Sequence, residues 1–195
     1  MLLVLLILIA TSVVYGQTET ECPNFSTFTS INGLQQNLNG TFLIVYTSGA
    51  VIKCERIKYT IDVNGFTTGY VESPNCCLKL DSFNFHSNEL SYSISPAPGY
   101  SMSGCAVPLS GTLNGTMKLL ASTGTGSSQC LITVVCHSGG YTAFYILCRQ
   151  KTLPLPLSLY LLLNNVLELL GLTTINDLKA VDQTDCLFPT NNCPA

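Results

Sequence analysis

Charged side chains are scarce in this 195-residue chain. Lys, Arg, Asp and Glu make up 10% of it, with a formal net charge of −3. That leaves no basic footprint for nucleic acid. Histidine is nearly absent: His86 and His137 are the only two and stand far apart, and no Cys-x-x-Cys occurs. The clusters that hold zinc are therefore missing, and both histidines read as surface turn residues. No Gly-x-Ser-x-Gly elbow surrounds Ser127 or Ser128. The run GTGSSQ lacks the Gly-Lys-Ser/Thr ending of a phosphate loop. Carboxylate pairs suited to hydrolysis are not evident. These absences point away from catalysis and from a metal or cofactor.

What is plentiful is apolar residues and cysteine. Met1 to Gly16 is an almost continuous Leu/Ile/Val run ending in Val14-Tyr15-Gly16. Compact residues before the expected cut suit signal peptidase, which places the mature start near Gln17 and leaves 17–195 as a single domain. The run is short for a membrane span. Ten cysteines, an even number, fit a secreted chain with its thiols paired. Sequons at Asn24, Asn39 and Asn114 are candidate glycosylation sites.

The middle of the chain is a series of short β patterns. Thr41 to Ser48 reads as the first strand. Val51 to Val63 is the second, with Ile57, Tyr59, Ile61 and Val63 on one face and Arg56, Lys58, Thr60 and Asp62 on the other. Asn64-Gly65 is a two-residue hairpin signal, returning the chain into Phe66 to Ser73. From Pro74 to Gly126 four further candidates follow: Cys77 to Phe85, Leu90 to Ser95, Met102 to Leu109 and Thr116 to Thr123. Gln129 to His137 is a strand that Gly139-Gly140 turns into YTAFYILCR (Tyr141 to Arg149). Apolar side chains fill both phases there, as in a strand covered on both faces. Pro154 and Pro156 end the ladder. Leu159, Leu162, Leu163, Val166, Leu167 and Leu170 then recur at helical spacing within Leu157 to Leu172, and Gly171 stands at the C-cap position. Asn164, Asn165, Glu168 and the two prolines argue against stable membrane insertion of this leucine-rich stretch. Strands joined by short turns, without helices between them, predict an all-β fold: an eight-stranded antiparallel up-and-down β-barrel with one C-terminal α-helix packed outside.

A last strand ending in Arg149, a loop, one helix and the cysteine-ended tail DLKAVDQTDC resemble the C-terminal module of the lipocalins. The tail in particular resembles the ending of the apolipoprotein D and insect bilin-binding branch of that family. The family's Gly-x-Trp signature is degraded, because the chain has no Trp; NGTF supplies Gly40, with Phe42 in the Trp position. One of the four candidate strands between 74 and 126 is then surplus to the barrel.

The resemblance implies a calyx for a small hydrophobic ligand of the lipid, fatty acid, retinoid, bilin or odorant type. Tyr46, Ile57, Tyr59, Ile61, Val63 and Tyr70 are candidates for its wall. It implies barrel closure by Gly40, Phe42 and Arg149. It also implies a Cys54–Cys186 bridge, consistent with Cys54 sharing the outward phase of Arg56 and Lys58. Cys22 would pair with Cys136, or with Cys148 if the last strands are registered differently. Connectivity of Cys76, Cys77, Cys105, Cys130, Cys148 and Cys193 is open in the first register. A filled barrel acting on another protein through its loops is the alternative function. A disulfide-rich secreted β-domain outside the family, with an adhesive or structural role, is a third. Oligomeric state is not legible.

Overall fold

The computed structural model describes residues 38–63, 67–86, 89–99, 112–138, 142–151, 163–164, 167–168, 177–188 and 193. Its strands are β1 (Gly40–Thr47), β2 (Arg56–Ile61), β3 (Thr67–Ser73), β4 (Cys76–His86), β5 (Glu89–Pro96), β6 (Leu113–Thr123), β7 (Cys130–His137), β8 (Thr142–Cys148) and β9 (Lys179–Ala180). β2 to β8 pair in chain order, and β1 pairs with both β8 and β2. Every strand pairing among the described residues is antiparallel, so β1 to β8 form the expected closed barrel. β5 pairs directly with β6, so the barrel closes without Met102 to Leu109, which lies outside the described residues. So do residues 1–37, which include the expected signal peptide, Cys22 and Asn24, and also the Asn64-Gly65 turn.

Alternation decides what each strand buries. In β2, Ile57 and Tyr59 point inward and join an inner cluster with Phe42, Leu80, Leu90 and Met117. β7 and β8 are covered on both sides, which is why their sequences carry no polar phase. Leu131 and Leu147 belong to the inner cluster, whereas Ile132, Val134, Phe144 and Ile146 pack outside with Leu163, Leu167 and Leu178. Of the helix expected over Leu157 to Leu172, only Leu163, Asn164, Leu167 and Glu168 are described. Their backbone is helical, with both leucines buried and Glu168 exposed.

Gly40, Phe42 and Arg149 meet at one end of the barrel. The Arg149 guanidinium lies 4.2 Å from the centre of the buried Phe42 ring. Its Nη2 donates to the Asn39 carbonyl (2.9 Å) and its Nε to Gln129 Oε1 (3.1 Å). Gly40 adopts φ +112°, and a Cβ there would stand 2.7 Å from Arg149 Nη1. Only glycine fits both the conformation and the space.

The second strand is shorter than its sequence pattern. Cys54 has φ 62° and cannot continue a strand, so β1 and β2 separate beyond the Leu43–Arg56 pair and the adjoining bond from the Ile44 N–H to the Glu55 carbonyl. The C-terminal tail takes the vacated edge of β1. Ala180 pairs with Tyr46 and Lys179 with Thr47. The Val181 N–H donates to the Val45 carbonyl (3.0 Å), and that of Cys54 to the Asp182 carbonyl (2.9 Å). The buried Gln183 amide donates to Ile44 and Glu55 carbonyls, each at 2.8 Å. Hydrogen bonds from the Thr184 hydroxyl and backbone N–H, with Lys53 beside them, hold the exposed Asp182 carboxyl down at about 2.

Cys54 is bonded to Cys186 outside the barrel and Cys77 to Cys193. Cys148 is bonded to Cys130, which stands opposite it in the β7–β8 ladder with 4.1 Å between Cα atoms. The alternative pairing of Cys148 with Cys22 is thereby corrected. Cys136 is also in a disulfide, but the expected pairing with Cys22 falls on a residue outside those described. The Cys54–Cys186 bridge spans 132 residues. Replacing both cysteines with serine (Cys54→Ser, Cys186→Ser) is expected to cost about 4–5 kcal/mol in the chain-entropy account. Urea unfolding would read this as a lower midpoint; an unchanged midpoint would show that the bridge contributes nothing beyond the tail's hydrogen bonds.

Candidate ligand-binding cavity

The inward phases of the strands enclose a cavity of about 60 Å³. Its wall is mostly aliphatic: Ile44 from β1, Ile57 from β2, Val71 from β3, Leu78 and Leu80 from β4, and Leu90 and Ile94 from β5. Met117 from β6, Val135 from β7 and Leu147 from β8 complete it. Polar groups are few. They are Glu55, Tyr59, Tyr92, Thr133, His137 and Tyr145.

Each polar group has a distinct setting. The Tyr59 hydroxyl donates only to the Met117 thioether, at 3.4 Å, a weak acceptor, and burial pushes its pKa up. Its ring packs edge-on against Phe42 with centroids 6.1 Å apart. Gly69 stands opposite Tyr59 in the β2–β3 ladder, where a Cβ would overlap the Lys58 carbonyl oxygen. Tyr92 and His137 hydrogen-bond through Oη and Nδ1 at 3.1 Å, with the rings nearly perpendicular. Gly115 makes that contact available. It lies between them in the ladder, and a Cβ there would sit 2.6 Å from Tyr92 Oη. Burial lowers the His137 pKa to about 4, so the ring is neutral at pH 7. The Thr133 hydroxyl donates to the Tyr145 carbonyl at 3.4 Å.

Among the described residues, Glu55 is the one acid in the wall. It precedes β2 in the inward phase of Ile57 and Tyr59 and is 7% exposed. Desolvation raises its carboxyl from the ordinary 4.5 to about 7.

Several residues stand elsewhere than the sequence suggested. Val63 lies beyond the end of β2 and is fully exposed, because the inward phase holds only while the strand lasts. Ile61, the last residue of β2, packs against the inner cluster but does not line the cavity. Tyr46 packs in the outer cluster. A register shift between Ile44 and Tyr46 breaks the alternation that would have turned it inward. Tyr70 is half-buried and pairs with Lys58 on the outward face of β3, where Gly69 and Val71 are the inward residues. His137 is not a surface turn residue; it ends β7 and is buried. His86 ends β4. Asn39 and Asn114 are exposed.

The sequence reading missed most of the wall. Leu78 and Leu80 alternate with Lys79 and Asp81, while Leu90, Tyr92 and Ile94 alternate with Ser91 and Ser93, so those two strands carried the signal. Glu55 was concealed by its charge, although it stands two residues before Ile57.

The two shifted groups oppose each other in pH. Glu55 binds more protons folded than unfolded, so its contribution to stability is fully present below 4.5 and is lost as pH rises through about 7. His137 binds fewer folded, so its contribution is lost as pH falls from 6.5 through about 4. Glu55→Gln removes the first and keeps the second. Wild type and variant are therefore expected to diverge across pH 4.5–7, the variant gaining about 3 kcal/mol relative to wild type by pH 7. Parallel stability curves from urea unfolding across that range would contradict a desolvated Glu55.

No protein-family model matches the chain, and no curated protein does. Solved structures do. The cockroach major allergen Per a 4 is 17% identical, with 84% of this chain and 95% of that one covered and a TM-score of 0.53. A tyrosine-to-alanine variant of LTBP1 in complex with leukotriene C4 is 13% identical, with 83% and 100% covered and a TM-score of 0.50. A further LTBP1 complex, with LTC4, is 14% identical, with 80% and 94% covered and a TM-score of 0.50. These neighbours are lipocalin-fold proteins. Closed on itself through β1 and enclosing an apolar cavity, the chain has the lipocalin fold.

Proposed function

We propose that this chain is a secreted lipocalin-fold protein that binds a small hydrophobic ligand inside its barrel, with no catalytic turnover, metal or cofactor. The observation that carries the reading is the apolar cavity with a few polar tips, the composition of a small-molecule site. Leukotriene C4 bound to LTBP1 supports it by likeness of fold. Disulfides suit an oxidising compartment. No helix among the described residues is long and apolar enough to cross a membrane. Asn39 and Asn114, both exposed, are proposed glycosylation sites, and a helix over Leu157 to Leu172 is the proposed outer brace of β7 and β8.

At about 60 Å³ the cavity is well below the roughly 300 Å³ of a drug-sized pocket. A larger ligand therefore has to displace side chains, and Met117, with its unbranched, flexible stem, is the one best suited to move. The same small volume favours the second reading, a filled barrel acting on another protein through loops such as that bearing the exposed Val51.

Native mass spectrometry of the secreted, deglycosylated protein, followed by organic extraction, separates the two. The cavity reading expects a stoichiometric hydrophobic adduct that leaves on denaturation, or saturable uptake from a panel of small hydrophobic probes. A bare protein mass with no uptake would overturn it in favour of the filled barrel.

A further inference from the structure

One charged group in the cavity wall has no counterpart. The Glu55 main-chain carbonyl accepts from the Ile44 N–H at 3.1 Å and the Gln183 amide at 2.8 Å. Its carboxyl takes no hydrogen bond or ion pair among the described residues, and burial is the sole cause of its raised pKa. The protein's own cations nearby are committed elsewhere. Arg56 points to the opposite face, where its Nε is 2.6 Å from Glu72 Oε2 and its guanidinium lies over the Phe188 ring. Lys53 is paired with Asp182 at 3.1 Å on the outer surface.

The rest of the wall sharpens the point. Among the described residues, no lysine or arginine lines the cavity. His137 is neutral and already bonded to Tyr92. A ligand with a carboxylate would meet an acid and no counter-charge. A ligand with an ammonium would supply the missing partner and leave its hydrocarbon part against Ile57, Leu80 and Met117.

We propose that the cavity is selective for small hydrophobic amines, with Glu55 receiving the ammonium group. This rests on the reading of the cavity as a ligand site and names the chemical class it takes. Three probes of matched size and differing charge fit the test: 2-phenylethylamine, 2-phenylethanol and phenylacetate. Calorimetric titration of the full oxidised protein at pH 7 is expected to show the amine binding at least roughly ten-fold tighter than the alcohol, and phenylacetate weakest. In Glu55→Gln the amine should lose its advantage over the alcohol, the two affinities becoming about equal, and continued binding of the alcohol reports an intact cavity. An amine no tighter than the alcohol in the wild type, or a preference that survives Glu55→Gln, overturns the proposal and leaves the cavity reading standing. Failure of all three probes to bind overturns both.

Discussion

The seam between β1 and β2 is the constraint on which the rest of this barrel depends. A closed sheet must satisfy the donors and acceptors of every edge, and these two strands stay paired only from Gly40–Tyr59 to Leu43–Arg56, with one further bond from the Ile44 N–H to the Glu55 carbonyl. Beyond that point the left-handed Cys54 carries the chain away. The C-terminal tail repairs the gap: β9 extends the ladder along β1, Val181 joins the inner cluster, and the Gln183 amide bridges the two parted strands. The Cys54–Cys186 disulfide then holds the tail in place. A segment more than a hundred residues from β1 in sequence thus finishes the wall and seats Glu55 in it. At the other end the seam is sealed differently, by Arg149 lying over Phe42 across a glycine that leaves it room.

Much of this architecture was legible in the chain. The doubly apolar phases of TAFYILC announced a strand covered on both faces, and the cover is the outer cluster with Leu163 and Leu167. The alternation of Ile57 and Tyr59 with Arg56 and Lys58 gave the correct inward face of β2. What misled was extending that alternation past its physical limits. It stops at Ile61, so Val63 is exposed; it breaks at the bulge in β1, so Tyr46 faces out. Tyr70 shows a third limit, since an aromatic residue suits a calyx wall by type, whereas Gly69 and Val71 hold the inward positions of β3. Glu55 and His137 were illegible for a different reason. Glu55 keeps the phase of Ile57 and Tyr59, but its charge argues for solvent, and only the closed barrel shows that it and His137 line an apolar cavity.

The interior that results is narrow and chemically lopsided. Its hydroxyls and imidazole are weakly or mutually satisfied, as in the Tyr59–Met117 and Tyr92–His137 contacts, while its only acid is desolvated and unpaired among the described residues. Under the proposed reading, such a site would discriminate by charge as well as by shape. The small resting volume and the flexible Met117 suit a ligand that enters by displacing a side chain rather than by filling an open cup.

The most direct test of a ligand site inside the barrel is methyl NMR of the oxidised protein with and without a saturating small hydrophobic ligand. The account predicts that the methyl groups of Ile57, Leu80 and Met117 shift, while those of Ile132 and Ile146 on the outer face do not. Shifts confined to the outer set, with the inner methyl groups unmoved, would contradict it.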